Sequence, residues 1–183
     1  RDNLGVISKS SDSEALALSV PDNNGVYFIP AFTGLGAPHW CPQARAMIAG
    51  LTRESSKAHI VRAALEAQAY QTLDLLRAMQ ADTGIYPKRL RVDGGLVANG
   101  FVCQFLADML QIPIDVPDVT ETTALGAAYL AGLSVGVYKS MTDIAQQNCI
   151  RKTYMPAMAA MERGRLYGEW TDVLNGLTAK FDR

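Results

Sequence analysis

The chain has 183 residues, 49% hydrophobic and 19% charged, with a formal net charge of −1. That is the balance of a globular protein and not of a disordered one. It carries no basic stripe and no basic cluster beside an apolar helix, which argues against nucleic acid and a membrane surface as partners.

Three scattered cysteines (Cys41, Cys103, Cys149) without a CxxC pair fit a reducing, cytoplasmic setting. No apolar run approaches the roughly 18 residues of a membrane span, and the first residues do not have the form of a signal peptide. The chain opens "RDNLGVISKS" without a Met and reads as the middle of something longer.

Residues 1–24 are polar, with an apolar patch at Ala15–Val20 long enough for one or two helical turns. "PDNNG" (Pro21–Gly25) is a turn signal. "VYFIPAF" (Val26–Phe32) is β-branched and aromatic, a buried strand ended by Pro30. "TGLGAPHWCPQ" (Thr33–Gln43) is a loop of fixed geometry, and "AMIAGL" (Ala46–Leu51) is a second short strand. A long helix follows, capped by Ser55 or Ser56, with apolar residues at helical spacing from Ile60 to Met79; Thr83-Gly84 ends it.

Pro87 precedes a strand at Arg89–Val92. The next helix carries a wide apolar stripe through Phe101, Val102, Phe105, Leu106, Met109 and Leu110. "IPIDVPD" (Ile112–Asp118) reads as a strand between prolines. Glu121–Tyr138 reads as a helix whose small residues suggest close packing, and a last helix is expected from about Ala157 to Lys180. Strands separated by helices imply a parallel sheet with right-handed crossovers. Too few strands are present for a two-faced α/β layer, so the sheet is expected to be incomplete on its N-terminal side.

The stretch "LRVDGGLVANGF" (Leu90–Phe101) places two glycines where a strand becomes a helix. Backbone N–H groups and a helix N-terminus at the carboxyl edge of a sheet favour an anion. Gly94 and Gly95 would let a ring or phosphate lie against the main chain. Asn99 adds a donor and an acceptor. The residues alone leave a second reading open: a tight βα turn, with Asp93 and Asn99 as caps.

"AMIAGLTRESSKAHIVRAALE" (Ala46–Glu66) resembles the second signature of the FGGY carbohydrate kinases, carried by Ala46, Ile48, Gly50, Leu51, His59, Ile60, Ala63, Ala64, Leu65 and Glu66. "PAFTGLGAPHW" (Pro30–Trp40), "RVDGGLVAN" (Arg91–Asn99) and "VTETTALGAAYLAG" (Val119–Gly132) are similar to the members that phosphorylate glycerol.

The resemblance covers Gly25 to Tyr138 and implies an α/β, ribonuclease H-like domain of the actin/hexokinase-type ATPases. Residues 1–24 would be a flanking helix or linker, 25–150 the core of the C-terminal nucleotide-binding domain, and 151–183 a C-terminal helix. It implies ATP-dependent phosphorylation of glycerol to glycerol 3-phosphate with Mg²⁺, and a homo-oligomer. Gly95 and Asn99 would contact the adenosine part of ATP, with Gly94 shaping the turn.

The family's catalytic carboxylate and glycerol-binding residues would lie outside these 183 residues. The chain alone is therefore expected to be inactive, with no catalytic residue and no metal ligand of its own. Departures from the family pattern are Cys41 for a usual Asp, Gly100 for a frequent Asn, Ala46 for a Gly, and "MPAMAAMERG" (Met155–Gly164) near the end.

The remaining polar residues have plainer readings. His39 and His59 are isolated and do not form a zinc set; His59 is expected to face solvent in its helix. Arg45 and Arg53 read as surface charges. Glu66 and Asp74, eight apart on one helix face, suit a solvated face better than a Mg²⁺ site. Trp40 is expected as a packed loop anchor or a subunit contact, and Cys103 as a buried thiol. The alternatives to a glycerol kinase activity are a kinase for another polyol or sugar, a chaperone or filament module of the same superfamily, and a non-catalytic nucleotide-binding or interaction domain.

Overall fold

The structure, a computed structural model, describes residues 4–147 and 149–181. In chain order it comprises α1 (Asp12–Leu18), β1 (Tyr27–Ile29), β2 (Met47–Ala49), α2 (Lys57–Thr83), β3 (Leu90–Arg91), a 3₁₀ turn (Gly95–Ala98), α3 (Gly100–Leu110), β4 (Ile114–Pro117), α4 (Thr122–Ser134), α5 (Met141–Gln146), β5 (Ile150–Tyr154) and α6 (Ala160–Thr178).

The long central helix α2 has local stop and start signals. Ser56 stands at its N-cap in extended backbone, and its N–H donates to Nδ1 of His59, 2.9 Å away. That is the capping-box geometry with an imidazole in the usual place of a carboxylate. His59 stands in the first turn as expected, at the exposed helix start, but its ring is partly covered and folded back on the cap. At the other end Gly84 adopts φ 70°, and its N–H donates to the Gln80 carbonyl at 2.8 Å. A left-handed glycine is the common way to close a helix.

Helix α2 runs through the middle of the core. Tyr70 stacks on Trp170 of α6 with ring centroids 5.4 Å apart and meets Phe105 of α3 edge-on at 5.6 Å. Leu73, Met109, Leu110, Ile114 and Leu174 fill the space around them. Such aromatic pairs contribute about 0.5–1.5 kcal/mol each beyond their area burial.

Two polar residues share this interior, against the expectation of a solvated face. Glu66 is 1% exposed and Asp74 7%. The reason is that each finds partners from distant segments. Glu66 accepts from Arg62 Nε at 2.8 Å and from Asn23 Nδ2 at 3.0 Å. Asp74 is bonded to His39 Nε2 at 2.8 Å and accepts from the Tyr167 hydroxyl. A buried carboxylate is tolerable when its lone pairs are filled. His39 ties the loop of residues 33–43 to α2 through Asp74, whereas Trp40 is 75% exposed, too open for the packed anchor expected of it.

The sheet is mixed rather than purely parallel. β3 and β4 are parallel, with Leu90 opposite Ile114 and Arg91 opposite Asp115. β5 runs antiparallel on the other side of β4, pairing Ile114 with Tyr154 and Val116 with Lys152. β5 and α5 have no counterpart in the expected elements, because "IRKTY" (Ile150–Tyr154) shows outward polar residues in succession and α5 is only six residues long.

β1 and β2 form a separate antiparallel pair, Phe28 opposite Ile48. The last helix starts at Ala160 and ends at Thr178, inside the expected span. The small-residue helix α4 packs closely only at Gly132, where a Cβ would stand 2.7 Å from the Tyr138 ring; none of its residues is buried, and Leu130 is 64% exposed. No helix among the described residues is long and apolar enough to cross a membrane.

Candidate functional site

β3 ends at Arg91, and the chain turns through Asp93, Gly94 and Gly95 into the 3₁₀ turn before α3. Gly94 has φ 84° and ψ 179°, a conformation that side chains oppose. Its N–H donates to the Thr120 carbonyl at 3.0 Å, which ties the turn to the segment leading into α4. Asp93 is exposed, and no side chain caps the 3₁₀ turn, so its expected capping role is not seen.

Gly95 differs from Gly94. Its backbone is not left-handed, and a Cβ built there would meet nothing within 4 Å. The N–H groups of Gly95 and Leu96 open the turn and bond to no backbone carbonyl among the described residues.

Asn99 is 8% exposed and is the N-cap of α3: its Oδ1 accepts from the Val102 N–H at 3.1 Å. Its Nδ2 donates to Ser13 Oγ at 3.2 Å. Helix α1 is thereby held against the turn. Glu14, also on α1, accepts the Phe101 N–H through Oε1 at 3.2 Å. The N–H of Cys103 goes to the Asn99 carbonyl at 3.3 Å. The N–H groups of Phe101, Val102 and Cys103 in the first turn of α3 are thus filled, and a carboxylate already stands at that end. The Glu14 carboxylate argues against the expectation of an anion seated on the α3 N-terminus; the N–H groups of Gly95 and Leu96 lie away from it, on the preceding turn.

Ser10, Ser13, Glu14, Gly95, Leu96 and Asn99 together line a cleft of about 520 Å³. That volume lies in the range of about 300–1,000 Å³ usual for small-molecule sites. One wall is bare main chain and the flat apolar surfaces of Leu96 and Ala98; the other is hydroxyls and a carboxylate. A smaller hollow of about 260 Å³, lined by Arg91, Asp93, Pro117 and Thr122, lies at the carboxyl ends of β3 and β4. Gly95 and Asn99 therefore share one cleft, while Gly94 lies beside it in the turn and lines neither hollow. The sequence reading omitted the α1 wall, although "SKSSDSE" (Ser8–Glu14) is a run of short polar residues just ahead of a helix.

Cys103 lies behind the turn, buried, with its thiol donating to the Val97 carbonyl at 3.5 Å. Burial pushes that thiol up from its ordinary value, which keeps it in the protonated form. A separate polar group sits across the molecule, where His39, Asp74 and Tyr167 meet. Burial, and then the Asp74 carboxylate, push the Tyr167 hydroxyl up. No group of three His, Cys, Asp or Glu side chains among the described residues could hold a metal ion.

The C-terminal domain of the FGGY family of carbohydrate kinases matches residues 1–135. The chain is similar to a glycerol kinase of Herminiimonas arsenicoxydans, 57% identical over 170 residues, covering 93% of this chain and 34% of the relative. It is similar to a glycerol kinase of Symbiobacterium thermophilum, 54% identical over 170 residues with the same two coverages. Among solved structures, Plasmodium falciparum glycerol kinase with ADP superposes with a TM-score of 0.84 at 33% identity, covering 94% of this chain and 34% of that one. A gluconate kinase from Lactobacillus acidophilus follows at a TM-score of 0.79 and 25% identity, covering 96% and 36%.

The chain spans about a third of the length of the relatives it matches. The fold is that of the α/β, actin/hexokinase-type ATPases. By the family match along its sequence and the agreement of its backbone with solved members, this chain belongs to the FGGY family of carbohydrate kinases, in the C-terminal domain of that family.

Proposed function

We propose that this chain seats the nucleoside end of ATP for an FGGY kinase that phosphorylates glycerol to glycerol 3-phosphate. The observation that carries the proposal is Gly95: an exposed glycine without left-handed backbone, whose missing side chain leaves open space along the cleft it lines. The fit is chemical as well as steric. The flat face of Leu96 and Ala98 suits a base, the α1 hydroxyls suit a ribose, and the open N–H groups at Gly95 and Leu96 suit an oxygen. Asn99 holds the two walls together and faces the cleft.

The glycerol reading is supported by identities of 50–57% to glycerol kinases, against 25% to the gluconate kinase structure. In this reading ATP supplies the phosphoryl group, and the chain contributes positioning, which is most of what phosphoryl transfer asks of a protein. The carboxylate that would act as general base and the groups that would hold glycerol are not assigned to any residue of this chain.

Mg²⁺ would accompany ATP, but the described residues do not build a site for it, and no step is assigned to it. A cytoplasmic location and a homo-oligomeric state complete the reading. The test is a titration of the chain with a fluorescent ATP analogue. Saturable binding that ATP competes away, lost in Gly95→Val with unchanged circular dichroism, is the expected result. No saturable binding by the unaltered chain overturns the proposal.

A further inference from the structure

We infer that Glu14 is a specificity-determining residue of this cleft, selecting a base whose facing edge carries an amino group over one carrying a carbonyl. The inference rests on the nucleotide-seat reading above. Hydroxyls can both donate and accept, so the serines of α1 do not discriminate between the two edges. The Asn99 carboxamide is engaged with Val102 and Ser13. Glu14 is therefore the one side chain on the wall with a fixed polarity, because a carboxylate only accepts. Its Oε1 is held by the Phe101 N–H at 3.2 Å, while Oε2 makes no hydrogen bond among the described residues.

Position 100 makes this placement possible. A Cβ at Gly100 would stand 2.8 Å from Glu14 Oε1 and 3.3 Å from the Tyr154 hydroxyl, so any larger residue would displace the carboxylate. Glu14 also lines an adjoining hollow of about 360 Å³ with Arg62, Phe101 and Lys152, so it stands at the border between the two. Leu96, 45% exposed, offers the ring a flat apolar neighbour.

ATP and ITP form the minimal pair for the test, since they differ at the amino or carbonyl group of the purine six-position. Dissociation constants of both are measured by competition against a fluorescent ATP analogue. The unaltered chain is expected to prefer ATP by about tenfold or more. Glu14→Gln replaces an acceptor by a group that can also donate, and the ratio is expected to fall to within about threefold through tighter ITP binding. Gly100→Asn leaves Glu14 in the sequence but moves it, and the same loss of preference is expected.

An unaltered chain that binds both equally, or a preference that survives both substitutions, overturns the role of Glu14. Equal weakening of ATP and ITP in Glu14→Gln also overturns it, by pointing to the ribose common to both. Failure of the unaltered chain to bind either nucleotide overturns the seat itself, and this inference with it.

Discussion

Glu66→Ala tests how the buried centre of α2 supports the cleft. Glu66 is 1% exposed and accepts from Arg62 Nε at 2.8 Å, Asn23 Nδ2 at 3.0 Å and the Tyr70 hydroxyl at 3.4 Å. The Tyr70 bond is long and contributes little. The charge-assisted bond to Arg62 contributes about 1.5–3 kcal/mol and the Asn23 bond about 1 kcal/mol. Removal also strands Asn23, which is 2% exposed, and leaves the Arg62 guanidinium, its side chain only 16% exposed, without its counter-charge.

Breaking one side of such a pair typically costs about 3–5 kcal/mol. Burial pushes the Glu66 carboxyl up from its ordinary value, with Arg62 opposing. The wild-type chain therefore already bears a desolvation cost that the substitution relieves, so the lower end, about 3 kcal/mol, is expected. At about 2–4 °C per kcal/mol for a domain of this size, the Tm falls by about 6–12 °C. Urea unfolding followed by circular dichroism gives the free energy directly. A loss below about 1 kcal/mol would refute the reasoning. The change also reaches the cleft, because Arg62 donates to the carbonyls of Ala17 and Val20 and so holds the end of α1. Nucleotide binding is expected to weaken with it.

The two neighbouring glycines should separate stability from binding. Gly94→Ala forces a side chain onto φ 84° and is expected to cost about 1–3 kcal/mol by backbone strain, whereas Gly95→Ala should unfold at the unaltered denaturant midpoint. Asn99→Ala removes the α3 cap and its tie to Ser13, with an expected loss of about 1 kcal/mol in the same unfolding assay.

Asp115 supplies the pH dependence. Burial raises its carboxyl, but the Thr153 hydroxyl at 2.6 Å and the Arg89 guanidinium at 2.7 Å outweigh burial and hold it below the ordinary value. A depressed carboxyl contributes stability above its unfolded value near pH 3.8 and loses it as pH falls through the folded value. Thr153→Val is therefore expected to cost about 1–2 kcal/mol at pH 7 and less at pH 2.5, compared by urea titration at the two pH values. Asp74→Ala frees both His39 and Tyr167; faster proteolysis within the 33–43 loop is the expected outcome, and unchanged cleavage would contradict the anchoring role of His39.

Much of this molecule is written locally. The 3.6-residue spacing of apolar residues gives α2, α3 and α6, and Ser56 and Gly84 mark the ends of α2, because helix periodicity and capping depend only on near neighbours. The glycine pair and Asn99 mark the turn for the same reason.

What the spacing could not carry is pairing over distance. Glu66 and Asp74 look like a solvated helix face until Asn23, 43 residues away, and His39 and Tyr167, 35 and 93 away, fill their lone pairs. β5 exists as a strand only because β4 offers it an edge. The cleft needs Ser13 and Glu14 brought to a turn 86 and 87 residues further on. By itself the sequence determined the three long helices, both ends of α2 and the bare backbone at Gly95. Tertiary structure alone decided which charges are buried and what faces that backbone, because burial and hydrogen-bond satisfaction belong to the assembled chain and not to any segment of it.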